Sequence, residues 1–156
     1  KVAYVKWGFH ENMIRSHIQR TDKHEHDALF IGLVKGDRNQ KLLSLMHDSK
    51  IKVKMLTSAD PFTIRDYAVA SSKFGLSLSY GDTDDFVNPF RLYYMAANGM
   101  HVLGDHSKDE DGYMEMCEWI SSDQIHSRLC GPTLKPKDII EKCRLSDLAN
   151  NLREVF

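Results

Sequence analysis

Basic side chains stand beside glycines or helix starts at two places in this 156-residue sequence, and both arrangements suit an anion. The first is Ile31-Gly32-Leu33-Val34-Lys35-Gly36-Asp37-Arg38. Gly32 and Gly36 let the backbone approach a ligand closely. A helix beginning near Asp37 would aim its positive end at that ligand. Lys35 and Arg38 add full charges, and Arg can grip a phosphate with two parallel hydrogen bonds. The second is the run from Asp82 to Gly99, GDTDDFVNPFRLYYMAANG with its leading Gly81. Arg91 falls in the first turn after Asn88-Pro89, where a cation opposes the helix dipole unless an anion is bound. Each segment has a plainer reading. The first is also an ordinary turn with solvated charges, and in the second Arg91 can pair with Asp84 or Asp85. Taken together they are more specific, because Lys35, Arg38 and Arg91 would converge on one diphosphate if both turns lined a single cleft. The first turn is neither a Walker A loop nor a GxGxxG fingerprint.

Such convergence requires strands to place both turns on one edge. Short apolar runs alternate with longer amphipathic ones, the rhythm of a parallel α/β sheet. Strands are expected over 2–5, 28–32, 51–56, 74–78 and 100–103, with a short fifth core strand over 114–120. Helices are expected over 37–48, from an Asp60 cap and Pro61 to about 72, from an Asn88 cap and Pro89 to 97, and over 121–128, 136–143 and 146–155. Asn98-Gly99 should end the helix that carries Arg91. The ligand edge would then be the strand carboxyl ends, at 32–38, 57–60, 79–88 and 104–111. The architecture expected is a single three-layer Rossmann-like domain over 1–156, with a linker strand and turn at 1–20, a core at 28–120 and closing helices at 121–156.

The run DALFIGLVKGDRNQKLLSLM, IKVKML, then IRDYAVASSKFGLSLSYGDTDDFVNPFRLYYMAANGMHVLGD resembles the carboxyl-terminal half of GT-B glycosyltransferases. The likeness is nearest to the spore-maturation-type group and to phage DNA β-glucosyltransferases, and covers about 1–120. The opening VAYVKWGFHEN is similar to the linker strand and turn that begin that half. The resemblance implies donor diphosphate contacts from Gly32, Lys35, Arg38 and Arg91. It implies nucleoside or sugar contacts from the neighbourhood of Thr57, Asn88, Tyr94 and Asp105. The family helix R-L-[FY]-E-x-x-A-x-G matches Arg91 to Gly99, but its ribose-binding Glu is Tyr94 here. The implied activity is metal-independent transfer from a nucleoside diphosphate sugar, with a UDP-sugar favoured. The acceptor would be a glycan, a protein or a modified DNA base. An amino-terminal acceptor domain would supply most of the catalytic base, so the isolated domain would turn over little.

Composition sets further bounds. Twenty-one basic and 22 acidic residues give a net charge of −1, which lends no global support to nucleic-acid or membrane-surface binding. Cys117, Cys130 and Cys143 form no CxxC pair and read as packing residues in a reducing, cytoplasmic setting. No run approaches the roughly 18 apolar residues of a membrane span. Eight histidines include no HExxH spacing, so no metal site is expected. Two other classes stay open. One is a Rossmann-like interaction or regulatory module without donor binding, for which Tyr94 in place of Glu is the best support. The other is a response-regulator-like domain, whose acidic pattern Asp82, Asp84 and Asp85 do not fit.

Overall fold

The computed structural model describes residues 13–57, 59–80, 87–105 and 117–133. The expected strand at 2–5, the helices at 136–143 and 146–155, and most of the 80–87 and 104–112 loops lie outside the described residues. Within them the order is β1 (His26–Ile31), α1 (Asp37–His47), β2 (Val53–Leu56), α2 (Phe62–Ser71), β3 (Ser72–Ser77), α3 (Pro89–Ala97), β4 (His101–Gly104), β5 (Glu118–Trp119) and α4 (Ile125–Leu129). A 3-10 turn, Ser122–Gln124, leads into α4.

All the strand pairings are parallel, and the sheet order is β2-β1-β3-β4-β5. The chain is therefore an α/β, three-layer Rossmann-like fold. β1 and β3 are neighbours, and successive connections leave them toward opposite edges of the sheet. That reversal is the topological switch point at which open α/β sheets form a crevice beyond the strand carboxyl ends.

Near-continuous apolar strands are needed where both faces of a sheet are covered. β1 shows this directly: Ala28 and Phe30 face one layer, while Leu29 and Ile31 face the other. The first layer holds Leu42 and Leu45 of α1 with Ile125 and Leu129 of α4. The second holds Ala68 and Val69 of α2 with Leu92, Tyr93, Met95 and Ala96 of α3. Tyr93 and Met95 are thus core residues. Each large, fully buried side chain such as Phe30 or Leu92 contributes about 1.5–3 kcal/mol by leaving water.

Local signals set the helix ends with one exception. Asn88 caps α3, its Oδ1 accepting from Arg91 N at 3.1 Å, and Pro89 is the first helical residue. At α2 the expected Asp60 cap does not form. Pro61 occupies the cap, and the Asp60 carboxylate instead accepts from Thr57 N at 2.5 Å and Thr57 Oγ1 at 2.9 Å. The proline ring fixes the entry, so the aspartate is free to close the turn behind it.

Candidate functional site

The rim at the β1 and β3 carboxyl ends, where a crevice is expected at the switch point, is built from two turns. After β1 the chain passes Gly32 and Gly36 at positive φ, 150° and 56°. Gly36 is the α1 cap and offers no side chain, so no side-chain oxygen covers the first N–H groups of that helix. After β3 it passes Leu78, Ser79 and Tyr80 before α3 begins.

Arg38 rises from the first turn of α1 and is only 8% exposed. Its Nε and Nη2 donate to the Leu78 carbonyl at 3.0 and 2.8 Å, and its Nη1 donates to the Leu33 carbonyl at 2.9 Å. One guanidinium thereby staples the β1 turn to the end of β3. It also stacks over the rings of Phe30 and Tyr80, at 5.5 and 5.2 Å from their centroids.

Arg91 comes from the first turn of α3 and reaches the same place. Its guanidinium lies 4.9 Å from the Phe30 centroid. It also rests on Gly32 so closely that a Cβ there would collide with Nη2. The two turns singled out in the sequence therefore do meet, around one phenylalanine ring. Arg91 Nε and Nη1 are buried and have no hydrogen-bond partner. Burial, and then the charge of Arg38, pull the Arg91 pKa down to about 10. Burial lowers that of Arg38 as well, opposed by Asp105 and Tyr80. Among the described residues no carboxylate makes an ion pair with either group. Two adjacent like charges, one buried and one partly buried, without a contacting anion are unfavourable, and a bound anion would relieve both.

The remaining candidates separate. Lys35 is exposed at the lip of the β1 turn. Thr57 is engaged by Asp60, and Asn88 by the α3 cap. Tyr94 is half-buried and donates its hydroxyl to Asp66 of α2. Burial and the Asp66 carboxylate raise its pKa above the ordinary phenol value. Asp105, just after β4, accepts from Lys41 Nζ and Ser79 N, each at 2.6 Å, and from Ser122 Oγ at 2.9 Å. Burial alone would raise its pKa, but these donors, Lys41 first, hold it below the usual carboxylate range. The structure thus joins Gly32, Arg38 and Arg91 at the crevice, and gives Thr57, Asn88, Tyr94 and Asp105 partners of their own.

No protein-family model, curated protein or solved structure matches this chain.

Three participants were not singled out in the sequence. Phe30 is the shared platform, and its one signal is an aromatic ring one residue before the end of an aliphatic run that closes on Gly32. Lys41, three residues after Arg38 on the same helix, donates to Ser79 Oγ at 2.6 Å as well as to Asp105. The Leu78 carbonyl, which anchors Arg38, leaves no trace in residue type. Among the described residues no group of His, Cys, Asp or Glu could hold a metal ion, and no helix is long and apolar enough to cross a membrane.

Proposed function

We propose that the domain binds the diphosphate of a nucleoside diphosphate sugar, a UDP-sugar by preference, as the donor half of a GT-B glycosyltransferase. The observation that carries this reading is the pair of guanidinium groups on Phe30 at the switch point, Arg38 buried and Arg91 partly so, with Arg91 lying on Gly32 and its buried Nε and Nη1 unsatisfied. In the transfer, the bond from the anomeric carbon to the β-phosphate oxygen breaks as an acceptor oxygen bonds that carbon. The acceptor proton passes to a base from a further domain. The departing diphosphate gains negative charge, and Arg38, Arg91 and the uncapped start of α1 stabilise it in place of a metal ion. Isothermal titration tests the reading: UDP should bind more tightly than UMP, and equal affinities would sink it.

A second reading has its own support. The polar side chains assigned to nucleoside and sugar are all engaged internally, which suits an interaction module that has lost donor specificity. A thermal-shift screen separates the two. Nucleotide sugars should raise the melting temperature of a donor domain and leave such a module unmoved.

A further inference from the structure

Asp105 follows β4 directly and lies beside the ends of β1 and β3, where it accepts from Ser79 N. Its side chain is 1% exposed and gathers a Lys41 ammonium, the Ser79 amide and the Ser122 hydroxyl. Ser79 follows Leu78, whose carbonyl holds Arg38, so the carboxylate lies one residue along the chain from that guanidinium's anchor. Lys41 is one turn further along α1 from Arg38, and its Nζ also touches Ser79 Oγ at 2.6 Å. Arg38 and Arg91 therefore meet at the β1 and β3 ends, and Lys41 reaches Ser79, the residue after the carbonyl that anchors Arg38. Among the described residues Asp105 is the carboxylate that contacts any of them.

We infer that Asp105 is an internal counter-charge that competes with the ligand: it holds the cation cluster together when the crevice is empty and thereby limits how tightly an anion binds. This rests on the diphosphate reading above and adds a residue that tunes affinity without touching the ligand. With Asp105 ionised, the four groups carry a net charge of about two positive units, matched to the dianionic diester of a nucleotide sugar. The charge acts through a medium of low effective dielectric, where a unit charge one side chain away still shifts an equilibrium severalfold.

A tether and a counter-charge make opposite predictions. Loss of a tether loosens the site and weakens binding. Loss of a counter-charge destabilises the empty protein but strengthens binding. The test is a double-mutant cycle on Lys41 and Asp105, read by titration with inorganic pyrophosphate and by thermal melting, with Arg91→Ala as the control for site identity. Asp105→Asn, nearly isosteric, should melt lower yet bind pyrophosphate about tenfold tighter, and Lys41→Met should bind about tenfold weaker. Lys41→Met with Asp105→Asn restores the original charge sum and should return affinity to about that of the unaltered chain. If Asp105→Asn does not fold alone, the comparison of Lys41→Met with the double variant still decides. Weaker binding by Asp105→Asn, or a double variant no better than Lys41→Met, would overturn the counter-charge while leaving the Arg91-dependent site standing. Absence of any Arg91-dependent pyrophosphate binding in the unaltered chain would overturn the diphosphate reading and this inference together.

Discussion

Two clusters of buried charge in this domain are built on opposite principles. On the flank where α2 and α3 meet the segment before β1, Asp66 is 3% exposed and fully served. It accepts from Arg15 Nε at 3.2 Å, from His17 Nε2 at 2.8 Å and from the Tyr94 hydroxyl. Asn98 completes the join by accepting from Arg15 N and donating to the Met13 and Tyr94 carbonyls. At the β1 and β3 rim, by contrast, Arg38 and Arg91 share a phenylalanine ring and lack a contacting carboxylate among the described residues. Charge that is paired on all sides holds chain segments together. Charge left unpaired in a crevice is a standing demand for an anion. The first cluster is architecture by this criterion, and the second is where the proposed diphosphate would sit.

The largest expected effect lies in the saturated cluster. Asp66→Ala strands the Tyr94 hydroxyl and frees Arg15, and should destabilise the fold by about 3 kcal/mol in urea unfolding. Diphosphate affinity should barely change, and a large loss of affinity would erase the distinction between the two regions. Arg91→Met should do the reverse. Removing an unpaired buried charge should cost little or no stability, while UDP binding weakens by roughly 1.5–3 kcal/mol, the worth of a charged hydrogen bond. Severe destabilisation with unchanged affinity would place Arg91 with the architecture. Gly32→Ala should lose both, by about 2 kcal/mol in stability, because a side chain there meets positive φ and the Arg91 guanidinium at once.

The pH response sharpens the same contrast. Hydrogen bonds from Tyr94, Arg15 and His17 outweigh the burial that would raise the Asp66 pKa, and its folded value lies below the ordinary one. Its contribution is thus fully present above about pH 4, the unfolded value, and is lost as pH falls through the folded pKa. Tyr94 is raised, so its contribution is present below about pH 10 and is lost as pH rises toward the folded value. Melting temperature across pH should therefore fall at both ends, and Asp66→Asn should flatten both limbs. An unchanged profile in Asp66→Asn would contradict this assignment. The smallest effect is that of Lys35. Exposed and without a partner among the described residues, its change to Ala should weaken UDP binding by about threefold or less, and only at low salt.

Much of this was legible in the sequence. The strand ending at Gly32, the Asn88-Pro89 start of α3 and the Asn98-Gly99 stop are local chemistry, and each forms where its residues require. The meeting of Gly32 with Arg91 also followed, because strand–helix alternation delivers every turn after a strand to one edge. What escaped is nonlocal. Asp66 lies 51 residues from Arg15 and 28 from Tyr94, and nothing in a lone aspartate mid-helix announces those partners. Lys41 and Asp105 are 64 residues apart and meet only because β4 ends, and the first half of α1 runs, near Ser79. The missing Asp60 cap has a different cause: two local rules competed for one carboxylate, and the turn with Thr57 won.

The central claim concerns where an anion goes, so the most direct measurement is the pair of side-chain Nε resonances of Arg38 and Arg91, followed by NMR during a UDP titration. The account predicts that both move along one binding curve, and that Arg91→Met abolishes the shift of Arg38. Resonances that stay fixed while UDP binds elsewhere, or that move with unrelated dissociation constants, would contradict it.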